Sequence, residues 1–120
     1  MIFTEQQLQE ISLQGEAFLD ERRPPLELRE KLDLAYRVEG HSVLSFEIKA
    51  RWDDPSRTME KPLAMATYVE AQKHWKVYWM QEDLKWRNYT PRPMVKTIKA
   101  FFRLVDEDHR ACFFGKAKVG

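Results

Sequence analysis

Sixteen consecutive residues, His74 to Tyr89 (HWKVYWMQEDLKWRNY), hold three of the four tryptophans and two of the four tyrosines of the chain. Aromatic and basic residues alternate through this stretch, the period of a strand whose two faces differ. It reads as a β-hairpin: one strand over about His74–Met80, a four-residue loop Gln81–Leu84, and a second strand over Lys85–Tyr89. That register sets Trp79 opposite Trp86, with Trp75 and Val77 on the same inward face. A three-residue loop would set Trp79 opposite Lys85, mixing an apolar with a charged face, so it is rejected. Lys76, Tyr78, Met80, Lys85, Arg87 and Tyr89 then point outward.

The rest of the chain supplies what this hairpin packs against. Thr4 and Gln7 have the spacing of a capping box, with Glu5 in the first turn. Leu8, Ile11, Gly15, Phe18 and Leu19 share one helical stripe, and Gly15 permits close approach of whatever packs there. The helix is predicted to end near Arg22–Arg23, since Pro24–Pro25 follows. Leu26–Lys31 reads as a short helical turn or an irregular connection. Leu32–Glu39 and the run beginning at Ser42 both alternate, with Gly40 at the turn. A three-residue loop, Gly40–Ser42, pairs Val38 with Leu44, Tyr36 with Phe46 and Leu34 with Ile48, and brings both apolar sets to one face. It also sets Asp33 opposite Lys49. Asp53–Lys61 is predicted to be a polar loop, and Leu63–Glu70 a third strand with both faces fairly apolar. Thr90–Pro93 breaks the sheet; a second helix is expected over Met94–Val105 and a short final strand over Ala111–Phe114, with a frayed tail at 116–120.

The element order is helix, four to five antiparallel strands in hairpins, helix, short strand. This predicts an α+β fold, one antiparallel sheet with both helices on one face. At 120 residues the chain reads as a single domain, 1–120. Lys plus Arg (20) nearly balance Asp plus Glu (19), so the net charge of +1 exerts no global pull on nucleic acid or anionic membrane. The single cysteine, Cys112, forms no intrachain disulfide and suits a reducing compartment. The N-terminus turns polar after three residues and no apolar run approaches the ~20 residues of a membrane span, so a cytoplasmic location is expected.

Seven segments carry a resemblance. They are ERRPP (21–25), LDLAYRVEGHSV (32–43), FEIKARW (46–52), ATYV (66–69), WKVYWMQEDLKWRNY (75–89), VKTIKAFF (95–102) and ACFFG (111–115). Over nearly its whole length the chain resembles a family of small bacterial proteins catalogued as domain of unknown function 3024. The resemblance implies a small single-domain bacterial protein, and carries no activity.

Four groups of residues are candidates for function. The outer hairpin face, Lys76, Tyr78, Lys85, Arg87 and Tyr89, with Arg51 and Trp52 beside it, offers rings for stacking and cations for phosphates. The plainer reading of the same residues is a solvated sheet face with cross-strand and cation–π pairs. Asp33 with Glu47-Ile48-Lys49 has the acid and E-x-K pattern of a metal-dependent phosphodiesterase, although E-x-K arises often by chance. His109 with Cys112 falls short of the three or four ligands zinc requires, and Arg22–Arg23 reads as a helix-end charge pair before it reads as an anion site. No nucleophile–base arrangement, phosphate loop, metal set or cofactor motif is present. The preferred expectation is a non-enzymatic binding module contacting nucleic acid or another protein. A phosphodiesterase using Asp33, Glu47 and Lys49 is the alternative, and a homodimer is the third reading.

Overall fold

The computed structural model describes residues 3–81 and 83–108. Helix α1 (Glu5–Arg22) is followed by a 3-10 turn (Leu26–Leu28). Strands β1 (Leu32–Glu39), β2 (Ser42–Ala50), β3 (Thr58–Val69), β4 (His74–Met80) and β5 (Trp86–Asn88) form a meander in that spatial order. A short strand β6 (Met94–Val95) pairs with β4, and helix α2 (Ile98–Glu107) closes the described chain. The α+β class and the two-helix, one-sheet architecture are as expected. The Ala111–Phe114 strand and the 116–120 tail lie outside the described residues.

Helix α1 begins where its capping box predicts. The Thr4 hydroxyl accepts from the Gln7 N–H at 3.1 Å, and Gln7 Oε1 accepts from the Thr4 N–H at 2.8 Å. Helix α2 starts at Ile98, not at Met94. Thr97 caps it by accepting from the Ala100 N–H at 3.0 Å, and the residues before it are drawn into the sheet, Val95 opposite Trp75 and Met94 opposite Lys76. Strand β3 also starts earlier than expected, because Thr58–Lys61 pair with β2 and shorten the predicted loop.

Both helices lie on the same side of the sheet. Gly15 of α1 sits against the Tyr36 ring, Phe102 of α2 meets Tyr36 edge-on at 5.9 Å and Phe18 at 5.2 Å, and Phe3 stacks on Trp75 at 5.5 Å. The core between the layers holds Ile11, Phe18, Leu34, Val43, Leu63, Ala64, Ala66, Trp75, Val77, Tyr89, Ile98, Phe101 and Val105, among others.

Two registers differ from expectation by one residue each. The β1–β2 turn is two residues long, Gly40–His41, and Val38 pairs with Val43, Tyr36 with Ser45 and Leu34 with Glu47. Gly40 supplies the left-handed conformation (φ +58°) that so tight a turn requires. Residues directly opposite in a ladder share a face. Leu44, Phe46 and Ile48 therefore face away from Leu34 and Tyr36, and away from both helices. In the β4–β5 hairpin Met80 pairs with Trp86 and Trp79 with Arg87, so residues 81–85 span the turn. Trp86 consequently sits outside with Tyr78 and Met80. Tyr89, expected outside, is among the most deeply buried side chains at 1% exposure, and its N–H donates to the Val77 carbonyl at 2.9 Å. Packing Tyr89 beneath the helices fixes the parity of the strand and turns Trp86 outward.

Candidate binding face of the sheet

The side of the sheet that neither helix touches is the feature the registers create. Its residues fall in rows across the strands. One row runs Ala35–Phe46–Pro62, continued by the Met80–Trp86 pair; the next runs Arg37–Leu44–Met65–Tyr78–Asn88; a third holds Glu39, Ser42, Thr67 and Lys76, with Met94 of β6 beyond. A bulge keeps this parity: Ser45 pairs with Ala64 but Phe46 with Pro62, leaving Leu63 as the extra residue, buried in the core.

An antiparallel sheet covered on one side ordinarily shows polar residues on the other. Here the open side is apolar through its centre. Leu44 and Phe46 are buried, yet neither belongs to the core cluster beneath the helices. One neighbour covers the Phe46 ring from the open side. The Arg37 guanidinium lies 4.6 Å over the Phe46 ring, a cation–π contact, and is held there by Glu39 at 2.6 Å and Glu60 at 2.9 Å. Hydrogen bonds donated to Glu60, then to Glu39, push the Arg37 pKa further above its ordinary value, so this charge is permanent and already matched.

The expected site residues divide. Lys76 and Tyr78 lie on the open face as predicted, in line with Thr67 and Met65 of β3. Tyr89 is removed to the core. Arg87 turns to the helix side of the β5 edge, where Asp83 at 2.7 Å and Gln81 at 3.2 Å engage it. Lys85 is exposed in the connection before β5. Arg51 is bound by both carboxylate oxygens of Asp53, at 2.9 and 2.7 Å, which holds that carboxyl below the usual carboxylate range. Trp52 is 93% exposed beyond the end of β2. Ala50 is six residues along β2 from Leu44, about 20 Å at strand spacing, so Arg51 and Trp52 do not join Lys76 and Tyr78 in one site. Trp86, Met80, Met65 and Phe46 take their place. For Phe46 the readable signal is the alternation of Leu44, Phe46 and Ile48, which lies on the outer face and not the inner one.

The phosphodiesterase constellation is not assembled. Asp33 pairs with Ile48, and Glu47 with Leu34, so the two carboxylates are on opposite faces of the sheet. Asp33 takes a two-pronged ion pair from Arg23 at 2.7 and 2.8 Å and accepts from the Leu34 N–H. The Arg23 hydrogen bond holds the Asp33 carboxyl below the usual range, against the opposing effect of burial. Glu47 is buried on the helix side with the Lys49 ammonium at 3.6 Å. Among the described residues no three His, Cys, Asp or Glu side chains converge as a metal site would require. Arg22 meets Asp106 at 3.6 Å, so the Arg22–Arg23 pair serves the fold. His109 and Cys112 lie outside the described residues. No helix among the described residues is long and apolar enough to cross a membrane.

The profile of one family, described as a domain of unknown function (DUF3024), matches residues 3–115. The chain belongs to the DUF3024 family. The match spans both helices and every strand described above, so the open face of this DUF3024 chain lies wholly inside the family's extent. Comparison with curated proteins gives no match, and neither does comparison with solved structures.

Proposed function

We propose that this chain is a single-domain, non-enzymatic interaction module that binds a protein partner through the open face of its sheet. The observation that carries the reading is the contiguous apolar stripe from Ala35 and Phe46 through Met65 to Tyr78, Met80 and Trp86, on the side that neither α1 nor α2 covers. Apolar surface in one continuous patch, rimmed by charge, is what marks interaction sites on otherwise soluble domains. The aromatic members, Phe46, Tyr78 and Trp86, are the residue types that dominate binding energy at such contacts.

Nucleic acid is the less favoured partner. Stacking on Tyr78 and Trp86 suits single strands, but phosphates need unmatched cations, and Arg37 is already neutralised by Glu39 and Glu60. Lys76 is the cation left in the rows of the stripe. Its resemblance and single cysteine support placing the protein in the bacterial cytoplasm.

A photo-crosslinking residue replacing Tyr78 tests the reading in living cells, with the same group replacing Lys99 on the exposed side of α2 as the control. Adducts from position 78 that are absent at position 99 are expected. Equal yields, or none, would overturn the assignment of the face. Filter binding of single-stranded DNA and RNA at low and moderate salt completes the test. Salt-sensitive retention lost in Tyr78→Ala would replace the protein partner with nucleic acid.

A further inference from the structure

We infer that the partner on the open face is a second copy of this chain, stacked sheet against sheet about a two-fold axis running along β3. This rests on the open face being the contact surface. Three features of the face select a copy of itself as the occupant.

The first is extent. Five strands ~4.8 Å apart and three rows ~7 Å apart cover roughly 24 by 20 Å. Two such faces in contact bury about 1,000 Å² in total, the lower bound for a specific interface between proteins. The face is therefore large enough to hold two copies together, at an affinity that concentration will titrate.

The second is shape. Rotation about β3 preserves the rows and exchanges their ends. Bulky side chains occupy the β4–β5 end, Met80 and Trp86 in one row, and the opposite end of that row carries Ala35. Stacking sets Trp86 of one copy over Ala35 of the other, and Met80 over Phe46. The largest side chain thus meets a small one at the rim, while aligned sheets interdigitate at about −30°.

The third is charge. Residues on the axis strand meet their own copies, so like charges there would oppose association. The open side of β3 presents Pro62, Met65 and Thr67 through the stripe, all uncharged. Its one charge, Glu60, is paired with Arg37 at 2.9 Å. The same rotation brings Lys76 of one copy into the row of Glu39 of the other, an opposite-charge neighbour at each end of the contact.

Sedimentation velocity of the full chain from low to high micromolar concentration tests this. Growth from the single-chain mass of 14.4 kDa to twice that value is expected. Met65→Glu sets two carboxylates against each other on the axis, and monomer is expected at every concentration with an unchanged circular dichroism spectrum. Should that variant not fold, Met65→Cys in a Cys112→Ser background decides the matter. Diamide is expected to oxidise the two facing thiols to an intermolecular disulfide, and to leave Lys99→Cys in the same background uncrosslinked. A chain that stays at single-chain mass throughout, a dimer indifferent to Met65→Glu, or equal crosslinking at both positions would overturn the proposal. The photo-crosslinks separate this failure from failure of the face itself. Adducts at twice the chain mass support both readings. Adducts to a different protein, or within one chain to residues 109–120, overturn the dimer while leaving the face in contact. No adduct at position 78 overturns both.

Discussion

Replacing Gly15 by alanine sets two well-measured effects against each other, and the structure says which prevails. In a helix interior, alanine is favoured over glycine by about 1 kcal/mol. A Cβ at this position, however, would stand 2.5 Å from both Cε1 and Cζ of Tyr36 and 2.9 Å from Cδ1. Relief requires the ring to move by about 1 Å, given ordinary carbon contacts of ~3.5 Å. The ring is not free to do so. Phe102 meets it edge-on at 5.9 Å, and its hydroxyl donates to Glu16 Oε2 at 3.2 Å. Overpacking of this kind costs about 1–3 kcal/mol. We expect Gly15→Ala to be less stable than the parent by about 1–2 kcal/mol, the upper part of the overpacking range less the helical gain. Urea unfolding followed by tryptophan fluorescence measures it. The decisive comparison is a double-mutant cycle. In a Tyr36→Leu background the obstructing ring atoms are gone, and Gly15→Ala should then stabilise by about 1 kcal/mol. An unchanged or increased stability in the parent, or the same effect in both backgrounds, would refute the contact as the reason for glycine here.

Three further outcomes follow from the same structure. The Asp33 carboxyl is held below its unfolded value by Arg23, so its contribution is fully present above the unfolded carboxylate pKa of about 3.9 and is lost as pH falls through the folded value; urea midpoints measured below about pH 5 should therefore fall more steeply in the parent than in Arg23→Gln, and parallel curves would reject the linkage. Thr4→Ala removes the acceptor for the Gln7 N–H and should cost about 1 kcal/mol in thermal or urea unfolding, with Thr4→Ser close to parent; equal loss in both would show that the cap hydroxyl is not the cause. Tyr89→Ala should cost about 3–5 kcal/mol, as for other buried aromatics, and Trp86→Ala clearly less, since Tyr89 is in the core and Trp86 on the open face; the reverse order would contradict the β4–β5 register.

What could be read from the residues alone was whatever depended on local chemistry. The capping box named the first residue of α1, the proline pair named its end, and Gly15 announced a close approach that proved to be the Tyr36 ring. The Thr97 cap of α2 was equally readable, but the apolar residues before it, Met94 and Val95, extend the helical stripe and masked it; their pairing with β4 is a long-range contact that no local pattern announces. The site was legible in part. Lys76 and Tyr78 needed only strand parity within β4. Arg87 and Tyr89 needed the parity of β5 relative to β4, which depends on whether the connection holds four residues or five. A tryptophan in β5 does not decide it, since Trp86 lies on the open face.

Both hairpins depart from the expected register for one physical reason. Agreement of the apolar sets decides register only when a sheet has a single apolar face. This sheet has two, and hydrophobicity cannot tell them apart. In β2 and β3, side-chain volume can. Helices must approach the covered face closely, and the strand residues beneath them are small through the middle of the sheet: Val43, Ser45, Ala64 and Ala66 are all fully buried there. The open face has no such restriction and carries Phe46, Met65, Tyr78 and Trp86. A run such as SVLSFEI therefore holds two alternations, small against large, and the small set marks the helix side. Read that way, Leu44, Phe46 and Ile48 are not core residues awaiting a helix. They lie on the face opposite α1 and α2, and a change of one residue in turn length converts a stability feature into part of the candidate binding face.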